Sequence, residues 1–172
     1  LTKIKGAGAD AIICWGTNPG PAVVARNRVQ LGLTVPLYMS HGVASNKFIE
    51  LAGEAAEGLV LPAGRLVAVD QVPADHPQKA VLEAYVAGYT KTYGTQVSSF
   101  GGYAHDAFAL VMEAISKGGS AKSADIRDNL EKISGFAGTS GVYTYSPDNH
   151  NGLDESAFIM VTIENGTWKV LN

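Results

Sequence analysis

Two short stretches of the sequence set hydrogen-bonding side chains beside glycine: Trp15-Gly16-Thr17-Asn18 and Ser40-His41-Gly42. Thr17 and Ser40 each donate and accept, Asn18 offers a carbonyl and an amide, and the His41 imidazole does either according to its protonation. A few fixed groups of this kind orient a small polar or anionic ligand. By residue type alone, each of these positions reads equally well as a plain loop or capping residue or as a ligand contact.

Harder chemistry does not assemble. Cys14, His41 and Asp106 supply the types for a nucleophile, a base and an orienting group, but Cys14 sits inside an apolar run, where cysteine behaves as a small inert hydrophobe. Gly6-x-Gly8-x-x-Ala11 matches the letters of a dinucleotide fingerprint, yet it precedes a strand when the pyrophosphate requires it to follow one and open a helix. Placing Gly152 as the sixth residue of a calcium loop puts Pro147 first and Phe158 twelfth, where carboxylates are needed, so "PDNHNG" reads as a hydrogen-bonded surface turn. Asn165-Gly166-Thr167 forms a glycosylation sequon, but its placement makes it hairpin chemistry. The expectation is a protein without catalytic residues, metal or cofactor.

The elements that must position these loops alternate regularly. A helix end leads through a glycine turn to a strand over 11–15, whose continuous apolar run predicts burial on both faces. Pro19 and Pro21 open a helix with Ala22, Ala25 and Val29 on one face, and Gly32 stops it. A second strand covers 35–39. Ser45 is placed to cap the next helix, with Phe48, Ile49, Ala52 and Ala55 inward, and "LVLPAG" is a third strand. This β-α-β-α-β order predicts an α/β fold built on a parallel sheet flanked by helices. Helices are predicted over 77–93, 103–117 and 124–133, the second with Ala107, Phe108, Val111 and Ile115 at helical spacing, and "TQVSSFGG" between the first two reads as a loop. Two strands joined at Asn165-Gly166 form a C-terminal β-hairpin.

Composition narrows the class further. Of 172 residues 46% are hydrophobic and 17% charged, as expected for a packed globular chain. The 13 Lys and Arg are scattered and the net charge is −3, so no basic face for nucleic acid exists. No apolar run approaches the ~20 residues that span a bilayer, and one cysteine forms no intrachain disulfide. The opening "LTKIKGAGADAIICWG" reads as the tail of a helix entering a strand, which suggests a fragment or a processed chain. In open α/β sheets, ligands bind outside the carboxyl ends of the strands, where both polar loops fall.

The succession "ADAII", "LGLTVPLY", "FIELAGEAAEGL", "VPADHP" and "YGTQVSSFGGYAHDAFALVMEAI", with a late "HNG", resembles the periplasmic substrate-binding proteins of ABC transporters, the branched-chain amino-acid type. The resemblance covers essentially the whole chain and is specific as an ensemble. It implies a lobe of the type I periplasmic-binding-protein fold, incomplete relative to the family, with residues 1–172 as a partial C-terminal ligand-binding lobe and about 100–135 contacting a missing N-terminal lobe. Half a binding site and an exposed apolar face then predict self-association. It also implies a small-molecule ligand, an ABC transporter permease as partner, and a periplasmic or extracytoplasmic location, membrane-associated in a Gram-positive-type host. A ligand-sensing domain of a regulator or receptor has the same fold and is the alternative, with a thiol enzyme far behind.

Residue by residue, the resemblance places Thr17 where an aromatic commonly lines the cleft and Phe100 where a ring packs on the ligand side chain. His41 falls where those amino-acid binders hold the ligand's α-ammonium group with an acidic residue. An imidazole donates to an anion or a polar group instead. The ligand expected is an organic or aromatic carboxylate as much as an amino acid. Its polar anchors are His41 and Thr17, with Ser40 and Asn18 beside them, and its apolar walls are Phe100, Tyr103 and Trp15.

Overall fold

The computed structural model describes residues 1–171. In chain order its elements are α1 (Thr2–Ala7), β1 (Ile12–Cys14), α2 (Gly20–Gln30), β2 (Leu37–Met39), α3 (Asn46–Ala52), β3 (Val60–Ala63) and α4 (Lys79–Tyr93). There follow α5 (Ser99–Gly118), α6 (Ser123–Leu130), β4 (Phe136–Ala137), β5 (Val142–Tyr143), β6 (Ile159–Glu164) and β7 (Thr167–Val170). The chain forms two compact units: Leu1–Ala63 with the segment from Ile159 onward, and Gly64–Phe158. The second unit separates because it has apolar clusters of its own, around Leu66, Val72 and Leu82 and around Leu110, Ile133 and Tyr143.

The first unit is a five-stranded sheet in the order β1-β2-β3-β6-β7. Its first three strands run parallel, and the hairpin adds β6 and β7 antiparallel. Ile12 stands opposite Leu37 and Cys14 opposite Met39, so period-two alternation sends Ile12, Leu37, Met39 and Leu61 to one face. That face is buried, as are Ala22 and Ala25 of α2 and Phe48 and Ala52 of α3. The expectation of burial on both faces fails for β1: Ile13 is 75% exposed and its ladder partner Tyr38 40%. An apolar run shows that a strand can be covered twice, but not that this unit supplies the second cover. Val29 is likewise exposed, leaving Ala22 and Ala25 as the inward face of α2. Ser45 occupies the N-cap of α3, but its side chain makes no capping bond.

The hairpin turn forms as its sequence predicts. Asn165 and Gly166 take φ 52° and 71°, the left-handed pair that such a two-residue turn needs. The Glu57 carboxylate accepts both turn N–H groups, at 2.9 and 2.7 Å.

In the second unit, "SSFGG" is the first turn of a helix and not a loop. Ser98 caps α5, its hydroxyl accepting from the Gly101 N–H at 3.3 Å. Two adjacent glycines of low helix propensity hide this start from sequence reading. The buried stripe of α5 also differs from the expected one, comprising Ser99, Gly102, Asp106, Leu110 and Ala114, whereas Phe108 and Val111 are exposed. β4 and β5 pair antiparallel in a short hairpin; β5 falls in "GVYTYSPDNHNG", which reads from the sequence as a strand and then a turn. "PDNHNG" is the expected surface turn, with the Asn149 side-chain oxygen accepting from the N–H groups of Asn151 and Gly152.

Candidate functional site

The first unit brings its two polar loops together. They leave the carboxyl ends of adjacent parallel strands, β1 and β2, and the ladder continues one step beyond with Ser40 N donating to Cys14 O at 3.1 Å. The Ser40 hydroxyl then works in both senses: it accepts from Gly16 N at 3.2 Å and donates to Gly16 O at 2.7 Å. Ser40 is only 2% exposed. Singled out from the sequence as a polar anchor, it is also the staple that joins one loop to the other.

Gly42, a member that sequence reasoning passed over, permits the approach. A Cβ at Gly42 would lie 2.9 Å from Gly16 O and 3.0 Å from Thr17 Cγ2, closer than packed atoms tolerate. The signal available was the glycine after His41, whose reason for being glycine appears only once the partner loop is in place. His41 opens a short 3-10 turn, His41–Val43, and is exposed. The Trp15 ring meets the imidazole edge-on, with centroids 6.3 Å apart, and Trp15 is 79% exposed. Thr17 is exposed beside it. Asn18 precedes a cis bond to Pro19, and its side-chain oxygen is buried without a protein partner. Residues 15–18 and 40–42 thus offer an indole, hydroxyls, an amide and an imidazole, and include no Asp or Glu.

The remaining two predicted residues lie in the second unit, Phe100 on the first turn of α5 and Tyr103 just after it. Phe100 is 48% exposed, and Tyr103 packs against it edge-to-face with centroids 6.0 Å apart. Burial pushes the Tyr103 hydroxyl above its ordinary pKa, so it stays a neutral hydrogen-bonding group. Tyr85, Tyr89 and Tyr93 of α4 and His105 line a shallow groove of about 480 Å³ that includes none of the residues singled out from the sequence.

Burial raises the Cys14 pKa, the opposite of nucleophile activation. Asp106 is bonded to Thr139, Ser140 and Tyr143. Among the described residues no cluster of His, Cys, Asp and Glu could hold a metal ion, and no helix is long and apolar enough to cross a membrane.

A parallel sheet with flanking helices fits this class of fold, and the sequence profile of the periplasmic binding proteins matches residues 1–167. The chain belongs to that family of extracytoplasmic binding proteins, on the type I fold. It is similar to the leucine-, isoleucine-, valine-, threonine- and alanine-binding protein of Pseudomonas aeruginosa, 26% identical over 130 residues that are 76% of this chain and 32% of the relative. An extracellular ligand-binding receptor of Rhodopseudomonas palustris HaA2 is 29% identical, with a TM-score of 0.92 over 99% of this chain and 49% of its own. The branched-chain amino acid transporter substrate-binding protein LivJ of Streptococcus pneumoniae, solved with isoleucine, is 26% identical with a TM-score of 0.79 over 99% of this chain and 47% of its own. The chain thus spans about half the length of these solved structures and a third of the Pseudomonas relative.

Proposed function

We propose that this chain is part of a non-catalytic binding protein that takes up a small organic carboxylate outside the cytoplasm and delivers it to an ABC transporter. What supports the reading is the stapled pair of loops at the ends of β1 and β2, whose residues 15–18 and 40–42 include Trp15, Thr17 and His41 and no Asp or Glu. A free amino acid brings an ammonium group that needs an acceptor, and a bound carboxylate needs donors; His41 and Thr17 are suited to the second. The relatives named as binding leucine, isoleucine or valine support the small-ligand class. Phe100 and Tyr103 are proposed as ring contacts for an apolar or aromatic part of the ligand.

The exposed apolar residues Ile13 and Tyr38 on the first unit, and Phe108, Val111 and Met112 on α5, support a further element of the reading. In a longer polypeptide such faces are covered by the rest of the protein, residues 100–135 among them, and this chain alone associates with itself. Sedimentation as a stable monomer at micromolar concentration counts against that.

A thermal-shift screen tests the ligand. The expected result is stabilisation by carboxylates lacking an amine, such as benzoate, lost in His41→Ala. Stabilisation by leucine or valine alone, unaffected by that substitution, would sink the proposal.

A further inference from the structure

Asp106, on α5, is 1% exposed, and its ion-pair partner among the described residues is the neighbouring His105, with Nδ1 at 3.4 Å from Oδ1. The other contacts are all donors from one short segment. Thr139 N and Thr139 Oγ1 donate to Oδ1 at 2.7 and 3.0 Å. Ser140 N and the Tyr143 hydroxyl donate to Oδ2 at 2.7 and 3.2 Å.

This arrangement requires a carboxylate and not merely a polar side chain. Each oxygen faces one backbone N–H, which can only donate, so the isosteric amide would oppose an NH2 group to an N–H in either orientation. The surroundings are as closed as the bonding. A Cβ on Gly138 would lie 2.8 Å from Oδ2. The Gln78 side chain, 1% exposed, donates to Gly138 O at 2.8 Å and holds that segment from α4.

The same segment presses on α5 one turn earlier. A Cβ on Gly102 would lie 2.7 Å from Thr139 Oγ1 and 2.7 Å from Leu66 Cδ2. Thr139 therefore meets α5 at two successive turns, at Gly102 and at Asp106, and two contacts on one face fix a helix in rotation as well as in position. Tyr85 closes the other side, its hydroxyl 2.7 Å from where a Cβ on Gly101 would stand.

We infer that Asp106 is a positioning residue: its carboxylate ties Thr139 and Ser140 to α5 and thereby sets the rotation of the N-terminal end of this helix, which carries Phe100 and Tyr103. This rests on the proposed reading of those two rings as ligand contacts. Asp106 itself is sealed from any ligand and acts through the turn it holds.

Residue-resolved amide hydrogen exchange tests it without a ligand. The amides of Gly101 and Gly102 bond to Ser98, and Asp106→Asn is expected to speed their exchange about tenfold or more while amides over 110–115 keep the wild-type rate. Exchange raised evenly across the second unit would mean lost stability only, and unchanged exchange would mean that the turn is not held from Asp106; either result overturns the inference. If Asp106→Asn does not fold, Thr139→Val removes one donor alone and is expected to give a smaller rise confined to the same two amides; no local rise there overturns the inference too. Titration with benzoate and L-leucine keeps the two readings apart. Phe100→Ala with unchanged affinity for both compounds refutes the ring contact, and the inference falls with it. Weakened binding in Phe100→Ala, with none in folded Asp106→Asn, refutes the positioning role alone.

Discussion

The loop platform of the first unit and the first turn of α5 in the second are held by different physics. The platform depends on close backbone approach. Gly42 lets one loop lie on another, and a single buried hydroxyl, Ser40, joins them. The turn depends on charge, because the buried carboxylate of Asp106 gathers two N–H groups and two hydroxyls. Neutral bonds contribute about 1 kcal/mol each and bonds to a charged group about 1.5–3. The second unit thus concentrates much of its local order in one side chain, and the first spreads it over shape.

The sharpest way to break that contrast is Asp106→Ala, which strands buried donors. It is expected to cost the second unit about 3 kcal/mol or more in urea unfolding. A loss below about 1 kcal/mol would show that the carboxylate carries little. Next comes Gly42→Ala, which brings a methyl group against backbone that cannot rotate away. A cost of about 1–3 kcal/mol is expected, together with weaker carboxylate binding, and wild-type behaviour in both would remove the case for close approach.

A subtler effect separates the charged cluster from the rest. Burial, with the Asp106 charge adding to it, pushes the Tyr143 hydroxyl up to about 12 from 10. Because the unfolded chain ionises first, this group stabilises the fold fully below pH 10, and its contribution is lost as pH rises from 10 to about 12. Tyr143→Phe is expected to flatten that part of the alkaline stability profile, and an unchanged slope would contradict the assignment. The smallest effect concerns a glycine with no such duty. A Cβ at Gly88, inside α4, meets nothing within 4 Å, so Gly88→Ala is expected to raise stability by about 0.5–1 kcal/mol. Destabilisation there would mean that open space is no guide to these glycines.

The same contrast explains what the sequence made legible. Alternating apolar runs and helical stripes revealed β1, α2, β2, α3, β3 and the Asn165-Gly166 hairpin, since each follows from local periodicity and turn chemistry. The two polar loops were found because strand ends are where ligands sit in such sheets. The stapling by Ser40 was not legible because it depends on Gly16, 24 residues away. The start of α5 was missed because Gly101 and Gly102 weaken the helical signal, and they are glycines for a tertiary reason: the Tyr85 hydroxyl and Thr139 occupy the space of their side chains. Asp106 entered only as a possible orienting group for Cys14 and His41, and Phe108 and Val111 read as the apolar stripe, because a sequence shows how apolar a helix face is and not which face the fold covers.

Calorimetric titration of L-leucine and of benzoate into the protein and into His41→Glu tests the central claim most directly. The account predicts that the wild-type protein binds benzoate more tightly than leucine. It also predicts that the introduced carboxylate, which repels an anion and accepts from an ammonium group, reverses the order. Tighter binding of leucine by the wild type, with His41→Glu leaving both affinities unchanged, would contradict it.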